Sequence, residues 1–146
     1  QSISRKLDHS NLTPEEIEKE NAKKPIYYVG AKFGQDKADI MANADLIFVP
    51  SKEEPFGLVA LEAMAAAQYG KTIVATSRVQ GLSEFANTTN SLNCGTSIDE
   101  INKCVDTFLS LTNEQKNYLR TNAVEKANQL TWIQTSLNIQ TIWNTI

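Results

Sequence analysis

The chain has 146 residues and a formal net charge of −3. With 41% hydrophobic and 21% charged residues, it is typical of a globular protein that buries a core without disulfides or metals. The slightly acidic balance gives no electrostatic basis for binding nucleic acid. The sequence also lacks an apolar run of about eighteen residues, which predicts no membrane span.

The sequence contains two cysteines and one histidine, and none of them is placed for catalysis or metal binding. Cys94 and Cys104 lack Cys or His neighbours at metal-ligand spacing, which predicts free, buried thiols. His9 lies in residues 1–12, a segment without hydrophobic periodicity that we expect to be irregular. The sequence therefore predicts neither a zinc site nor a Ser-His-Asp arrangement.

The first predicted elements are a helix and a strand. Thr13 is followed by Pro14 at the first helical position and by Glu16 three residues after the cap, which is a capping box. This helix should end near Lys24, because the next residue is a proline. The apolar, β-rich run 26–29 then predicts a buried strand.

Helices and strands alternate through the middle of the chain. The pattern predicts helix 36–43, strand 46–49, helix 58–68 and strand 72–76. Gly70 is expected in the left-handed conformation that often follows a helix. Both helices are expected to bury apolar side chains, which are Ala38, Ile40, Met41 and Ala44 for the first and Leu58, Val59, Leu61, Ala63 and Ala65 for the second.

The remaining predicted elements lie in the C-terminal half. A loop over 77–81 precedes a short helix, and 91–94 predicts a weaker strand. Capping boxes that begin at Ser97 and Thr112 predict two helices, and 130–146 predicts a final helix with an apolar side. The sum predicts an α/β fold with a parallel sheet and helices on both of its faces.

The stretch 44–70 carries the most specific functional pattern. Its apolar strand leads through a turn closed by Pro55 and Gly57 into the helix that begins at Leu58. Unpaired N–H groups and the positive end of the helix dipole form an anion site there, and a glycine lets a ligand approach the backbone closely. Glu62, one turn further in, is placed to accept hydrogen bonds from sugar hydroxyls. The alternative interpretation is a helix-favouring residue on an exposed face, but its neighbours are apolar, and burying an unpaired carboxylate among them would be costly. Together these features outline a nucleotide-sugar site.

Several fixed positions in and after this stretch carry a family resemblance. They are Pro50-Ser51, Glu54-Pro55-Phe56-Gly57-Leu58 and Glu62-Ala63-Met64. This pattern resembles the donor-site signature of retaining glycosyltransferases with two Rossmann-like domains, the GT-B fold. The later Tyr69-Gly70 and Gly81-Leu82 are similar to the glycogen and starch synthase branch. The resemblance, which extends more loosely over 26–146, implies that 1–146 is a single, partial C-terminal nucleotide-sugar-binding domain with a Rossmann-like fold.

The resemblance implies a role for each residue of the motif. Glu54 is the catalytic carboxylate, which contacts the hydroxyls of the transferred hexose. Phe56 and Gly57 offer backbone N–H groups to the hexose, and Leu58 offers its N–H to the diphosphate. Glu62 binds the ribose hydroxyls. No metal and no cofactor are expected.

Other residues near the motif keep alternative interpretations. Gly81 is interpreted as a donor-binding loop residue or as a turn former, and Arg78 as a phosphate ligand or as an exposed arginine. Glu53, one position off the family spacing, is expected to be solvated. Several aromatic residues are equal candidates for stacking on the nucleotide base, namely Tyr27, Tyr28, Phe33 and Tyr69.

The resemblance also implies a reaction, which is transfer of glucose from ADP- or UDP-glucose to an α-glucan with retention. Two alternatives are a GT-B enzyme with a small-sugar, lipid or protein acceptor, and a non-catalytic nucleotide-sugar-binding module. Enzymes of this family add a basic motif of Arg and Lys and an acceptor-binding N-terminal domain, and neither is found in this sequence. The isolated chain is therefore expected to bind donor weakly and to transfer nothing. A cytoplasmic location is expected, or a plastid for a plant-like source.

Overall fold

The computed structural model describes residues 13–16 and 27–143, and the chain divides into two compact units, 1–36 and 37–146. In the first unit, the Thr13 hydroxyl accepts a hydrogen bond from the N–H of Glu16 at 3.3 Å, and the N–H of Thr13 donates to the Glu16 carboxylate at 2.9 Å. This capping box confirms the predicted start of the first helix. The predicted continuation over 17–24 and the irregular segment 1–12 lie outside the described residues.

The predicted strand over 26–29 is wrong across its described residues. Residues 27–30 have irregular backbone, and Tyr27 is 64% exposed. Gly30 has a φ of 70°, a left-handed conformation in which the chain cannot continue as an extended strand. A β-rich sequence forms a strand only where a neighbour pairs with its backbone groups, and no described strand pairs with 27–29. Ile26 lies outside the described residues.

The second unit is built on a parallel three-stranded sheet in the order β1-β2-β3. Its strands are β1, Leu46–Val49, β2, Ile73–Thr76, and β3, Leu92–Asn93. Leu46 pairs with Ile73 in register, and Ala75 pairs with Leu92. Every residue of β2 is buried because both of its edges are paired and both of its faces are covered. The predicted parallel sheet is confirmed, with strand bounds within one residue of the prediction.

The described helices follow the predicted order. They are α1, Gly34–Asn43; α2, Leu58–Ala66, extended by a 3₁₀ turn at Ala67–Tyr69; α3, Gln80–Ser83; α4, Ile98–Ser110; α5, Asn113–Gln129; and α6, Trp132–Trp143. Both later capping boxes form, since Ser97 accepts from the N–H of Glu100 and Thr112 accepts from the N–H of Gln115. Residues 144–146 of the predicted last helix lie outside the described residues.

The core confirms that helices cover both faces of the sheet. On one face, Val74 packs with Met64 of α2 and Ala123 of α5. On the other face, Ala75 packs with Cys104 of α4. This alternation along β2 follows from the period of two in a strand. Within the described residues, we find no helix with the length and apolarity that crossing a membrane requires.

The predicted buried faces of α1 and α2 are partly wrong. Leu58 is 57% exposed, and Val59, Ala65, Ala38 and Ile40 are exposed as well. For α2 the reason is that every residue except Glu62 is apolar, so hydrophobic periodicity identifies its inner face poorly. The side chains that α2 buries instead are Ala60, Leu61, Ala63, Met64 and Ala66.

Gly70 does not take the predicted left-handed conformation. Its backbone is extended, with φ −156° and ψ −154°. A Cβ at this position would lie 1.8 Å from the carbonyl oxygen of Ala42, so the glycine is required by close packing against the end of α1. The Thr72 hydroxyl donates a hydrogen bond to the carbonyl of Ala44 at 2.7 Å and fixes the same junction.

Both cysteines are free and buried, as predicted. Burial raises the pKa of the Cys94 thiol and raises the pKa of Cys104 to about 11. The thiolate is the reactive form of cysteine, so both side chains behave as apolar core groups at neutral pH.

Candidate functional site

The candidate site lies where β1 and β2 end at the carboxyl edge of the sheet. Ser77, which follows β2, donates from its N–H to the carbonyl of Val49 at 3.1 Å. Its hydroxyl donates to the carbonyl of Ser51 at 2.6 Å, and the residue is buried. Open parallel sheets bind ligands at this edge. Ser77 joins the two loops that form it, and sequence reasoning missed this role because a serine after a strand carries no specific signal.

Gly57 sets the start of α2. Its backbone is left-handed, with φ 91° and ψ 47°, and its carbonyl accepts from the N–H groups of Ala60 at 3.0 Å and Leu61 at 3.3 Å. This conformation favours glycine, and a Cβ at Gly57, which would lie 2.3 Å from Leu82 Cδ2, would also force the Leu82 side chain to move. The N–H groups of Leu58 and Val59 have no partner among the described residues. They form the exposed, positively polarised end of the helix that an anion can bind.

Gly81 packs directly against the loop that carries Glu54. Gly81 is buried in α3, and a Cβ there would lie 2.1 Å from the carbonyl oxygen of Glu54 and 2.6 Å from the carbonyl of Pro55. It lies inside α3, which begins at Gln80, so the predicted loop over 77–81 ends two residues earlier than expected and Gly81 is a helical residue with a φ that is not positive. The structure brings this glycine to the site as a close-packing residue, and its contact with donor stays a prediction.

Glu54 is half-buried on the wall of an open cleft of about 520 Å³. Its carboxylate has no hydrogen-bond or ion-pair partner among the described residues. Glu53 beside it is exposed, as predicted. The side chains that line the cleft are Lys52, Glu53, Glu54, Pro55, Val79 and Gln80. A half-buried carboxylate that faces a cleft is available to accept hydrogen bonds from a bound molecule.

Phe56 joins the site loop to the core. Its ring lies 5.7 Å from that of Phe85, between centroids, at an interplanar angle of 55°. Phe85 is buried, whereas Phe56 lies at the surface with 37% of the residue exposed. The tilted ring pair anchors the backbone just before Gly57. The predicted contact of the Phe56 N–H with a hexose stays a prediction.

Glu62 lies on the exposed face of α2, as one of its two interpretations has it, and its apolar neighbours do not enclose it. Its side chain is 48% exposed, and its Oε2 lies 2.5 Å from Nζ of Lys37 in α1. The exposed stripe of α2 continues from Leu58 to Glu62 because the opposite face packs on the sheet. Four residues of helix separate the two positions, about 6 Å along the axis. Glu62 therefore lies one helical turn from the unpaired N–H groups at the start of α2.

Arg78 is neither a simple exposed arginine nor a residue of the cleft wall. Its Nη1 donates to the Thr76 hydroxyl at 2.6 Å and to the Ser91 hydroxyl at 2.9 Å, and Nη2 donates to the Ser91 carbonyl at 3.1 Å. Burial lowers the pKa of the guanidinium, although it remains far above neutrality. Arg78 thus fastens the carboxyl end of β2 to the residue before β3.

Replacing Arg78 with methionine is expected to lower the free energy of unfolding by about 2 kcal/mol, because the Ser91 carbonyl and the Thr76 hydroxyl lose charged partners. Urea denaturation measures the change. Arg120→Met is the matched control, since Arg120 bonds Asn117 on its own exposed helix surface, and it should change stability by less than about 0.5 kcal/mol. Equal stability of the two variants would contradict the fastening role.

A parallel sheet with an open helix N-terminus and a carboxylate-lined cleft at its carboxyl edge is typical of nucleotide-binding α/β domains. The model of the family described as glycosyl transferases group 1 matches residues 9–126. The chain therefore belongs to the group 1 glycosyl transferases. This membership confirms the predicted glycosyltransferase with a Rossmann-like domain of GT-B type, and it assigns glycosyl transfer from a nucleotide sugar to an acceptor as the reaction class. A search of curated proteins finds no match to the chain.

Proposed function

We propose that the chain is the donor-binding part of a retaining glycosyltransferase of the glycogen and starch synthase type. In this proposal it takes glucose from ADP- or UDP-glucose and the acceptor is an α-glucan. The observation that carries the proposal is the open N-terminus of α2 at Gly57, next to the unpaired Glu54 carboxylate. The family resemblance of the same residues supplies the sugar and the acceptor.

The chemistry follows from these two groups. Transfer breaks the bond between the anomeric carbon and a diphosphate oxygen, so negative charge grows on the diphosphate and positive charge on the sugar ring. The N–H groups of Leu58 and Val59 and the dipole of α2 stabilise the diphosphate. The Glu54 carboxylate accepts hydrogen bonds from hexose hydroxyls, and its negative charge stabilises the positive charge that develops on the ring. In the proposal no metal and no cofactor take part.

One helix N-terminus supplies only part of this charge stabilisation. The proposal therefore includes cationic side chains and an acceptor-binding N-terminal domain from outside this sequence. In the proposal, Glu62 takes the ribose hydroxyls of the donor, one helical turn from the diphosphate.

A second candidate keeps the fold and changes the acceptor to a small sugar, a lipid or a protein. The glutamate at position 62 favours it, because transferases with small acceptors commonly keep a carboxylate there. A third candidate, a non-catalytic nucleotide-sugar-binding module, is favoured by the lack of the family's basic motif in this sequence. Transfer to glycogen by the complete enzyme separates the first candidate from the second, and transfer to any acceptor counts against the third.

Calorimetric titration with ADP, UDP, ADP-glucose and UDP-glucose tests the donor site. The wild-type chain should bind the nucleotides of one base more tightly than those of the other. Glu62→Ala should weaken binding of the preferred nucleotides by about 1–3 kcal/mol, the cost of lost hydrogen bonds to a partly buried ligand. Glu125→Ala, which removes an exposed glutamate of α5, is the matched control and should bind as the wild type does. A folded chain that binds none of the four ligands would contradict a donor site built by this chain.

A further inference from the structure

The ion pair between Lys37 and Glu62 joins two helices at the candidate site. Lys37 lies in α1 and Glu62 in α2, and Nζ lies 2.5 Å from Oε2. The Lys37 side chain is 32% exposed, so the pair is more shielded from water than a fully exposed one. A pair between two long side chains fixes rotamers that are otherwise free, and most exposed pairs contribute little to stability. The pair is of interest for ligand binding because the Glu62 carboxylate lies near the open N-terminus of α2.

Only one oxygen of the Glu62 carboxylate is engaged. Lys37 contacts Oε2, whereas Oε1 has no partner among the described residues. A carboxylate offers about four lone-pair directions, so Oε1 and one direction of Oε2 remain open. A vicinal diol presents two hydroxyl donors side by side. A carboxylate held in one orientation accepts both donors without losing further rotamer freedom when the diol binds.

The charge of the pair also favours an anionic ligand nearby. Glu62 lies one helical turn, about 6 Å along the axis, from the open N–H groups of α2. An unpaired carboxylate at that distance would repel a diphosphate. The Lys37 ammonium cancels this charge, so a diol and a diphosphate can bind next to each other.

We propose that Lys37 is a positioning residue, which orients Glu62 toward the vicinal diol of a nucleotide ribose. The inference rests on the proposed function for the assignment of ribose to Glu62. It adds a residue outside the motif that controls discrimination between ribose and deoxyribose. Lys37 acts through the carboxylate and has no assigned contact with the reacting atoms.

A second ion pair in the same unit provides a matched control. Lys71 Nζ lies 2.8 Å from Asp45 Oδ1. These residues precede β2 and β1, so this pair lies at the amino ends of the strands, opposite the edge that carries the cleft. Lys71→Met removes a lysine and breaks an ion pair without touching the candidate site.

The test titrates the full chain with ADP and UDP and with their 2′,3′-dideoxy counterparts. Lys37→Met is expected to weaken binding of both nucleotides, because the unpaired Glu62 carboxylate then repels their diphosphates, but to weaken the preferred ribonucleotide by about 5- to 10-fold more than its dideoxy counterpart, which has no diol to lose. Lys37→Arg should restore most of the preference for ribose, because the guanidinium also donates to Oε2. Lys71→Met should bind both nucleotides as the wild type does. Circular dichroism verifies that every variant is folded.

The outcomes separate the inference from the proposed function. No ribonucleotide binding, or a Glu62→Ala variant that keeps full preference for ribose, would overturn the assignment of ribose to Glu62 and the inference with it. If Glu62→Ala loses the preference and Lys37→Met keeps it, the inference alone fails. Equal weakening of both nucleotides by Lys37→Met would likewise overturn the positioning role, since it would show a general charge effect.

Discussion

Gly81→Ala is expected to lower the free energy of unfolding by about 3 kcal/mol. The added Cβ would lie 2.1 Å from the Glu54 carbonyl oxygen and 2.6 Å from the carbonyl of Pro55. Both contacts are with backbone atoms, which cannot rotate away as a side chain can. The free-energy cost should therefore lie at the upper end of the range of about 1–3 kcal/mol that is typical of overpacked sites. The higher helix propensity of alanine offsets at most about 1 kcal/mol of it. Thermal unfolding should show a decrease in Tm of about 10 °C.

The same substitution should damage the candidate site, because relief of the contact must move either α3 or the loop that carries Glu54. Nucleotide affinity is therefore expected to fall together with stability. Ser83→Ala on the same short helix is the matched control, since Ser83 is exposed, and it should change stability by less than about 0.5 kcal/mol. A Gly81→Ala variant as stable as Ser83→Ala would show that the close approach of Gly81 to the Glu54 loop does not exist.

Helix starts could be predicted from the sequence because their signals are local. The capping boxes at Thr13, Ser97 and Thr112 each form hydrogen bonds between residues three positions apart. Such bonds depend on nothing distant in the chain. The strands β1 and β2 could also be predicted from the sequence, since a continuous apolar run bounded by turn residues is typical of a buried parallel strand.

The side chains that each helix buries were less predictable, because tertiary contacts decide them. Leu58 and Val59 are apolar and yet exposed, whereas Ala60 and Met64 are buried against the sheet. Apart from Glu62, every residue of α2 is apolar, so the sequence contains little periodic signal for the rotation of the helix, and its packing against the sheet decides which side chains are buried.

The motif of the candidate site was visible in the sequence, but its supporting contacts were not. Gly57 was recognisable as the glycine of the turn into α2, where a ligand can approach the backbone, whereas its left-handed conformation was found only in the structure. The partner of Glu62 was not recognisable, because Lys37 lies on another helix and no local pattern connects the two. For the same reason, Ser77 and Arg78 were found only in the fold, where they fasten the strand ends together.

Glu54→Gln is expected to have the largest effect on catalysis, a loss of about 100-fold in the rate of transfer by the complete enzyme. Glutamine keeps the shape of the side chain and can still accept hydrogen bonds from hexose hydroxyls, so donor affinity should change by less than about threefold. The substitution removes the negative charge, however. In the wild type this charge stabilises the positive charge on the sugar ring, which develops only in the transition state. Removal of one preorganised electrostatic group of this kind costs about 10²–10³ in rate.

Glu53→Gln is the matched control for this prediction, since it removes an equal charge from the adjacent, exposed residue on the wall of the same cleft. It should retain nearly wild-type turnover, because a solvated carboxylate is screened from the reacting centre. Steady-state kinetics with donor titration separate the two effects, since a role confined to the transition state lowers kcat and leaves donor binding intact. Equal losses in both variants would assign the effect to the net charge of the cleft, and a fully active Glu54→Gln enzyme would exclude Glu54 as the catalytic carboxylate.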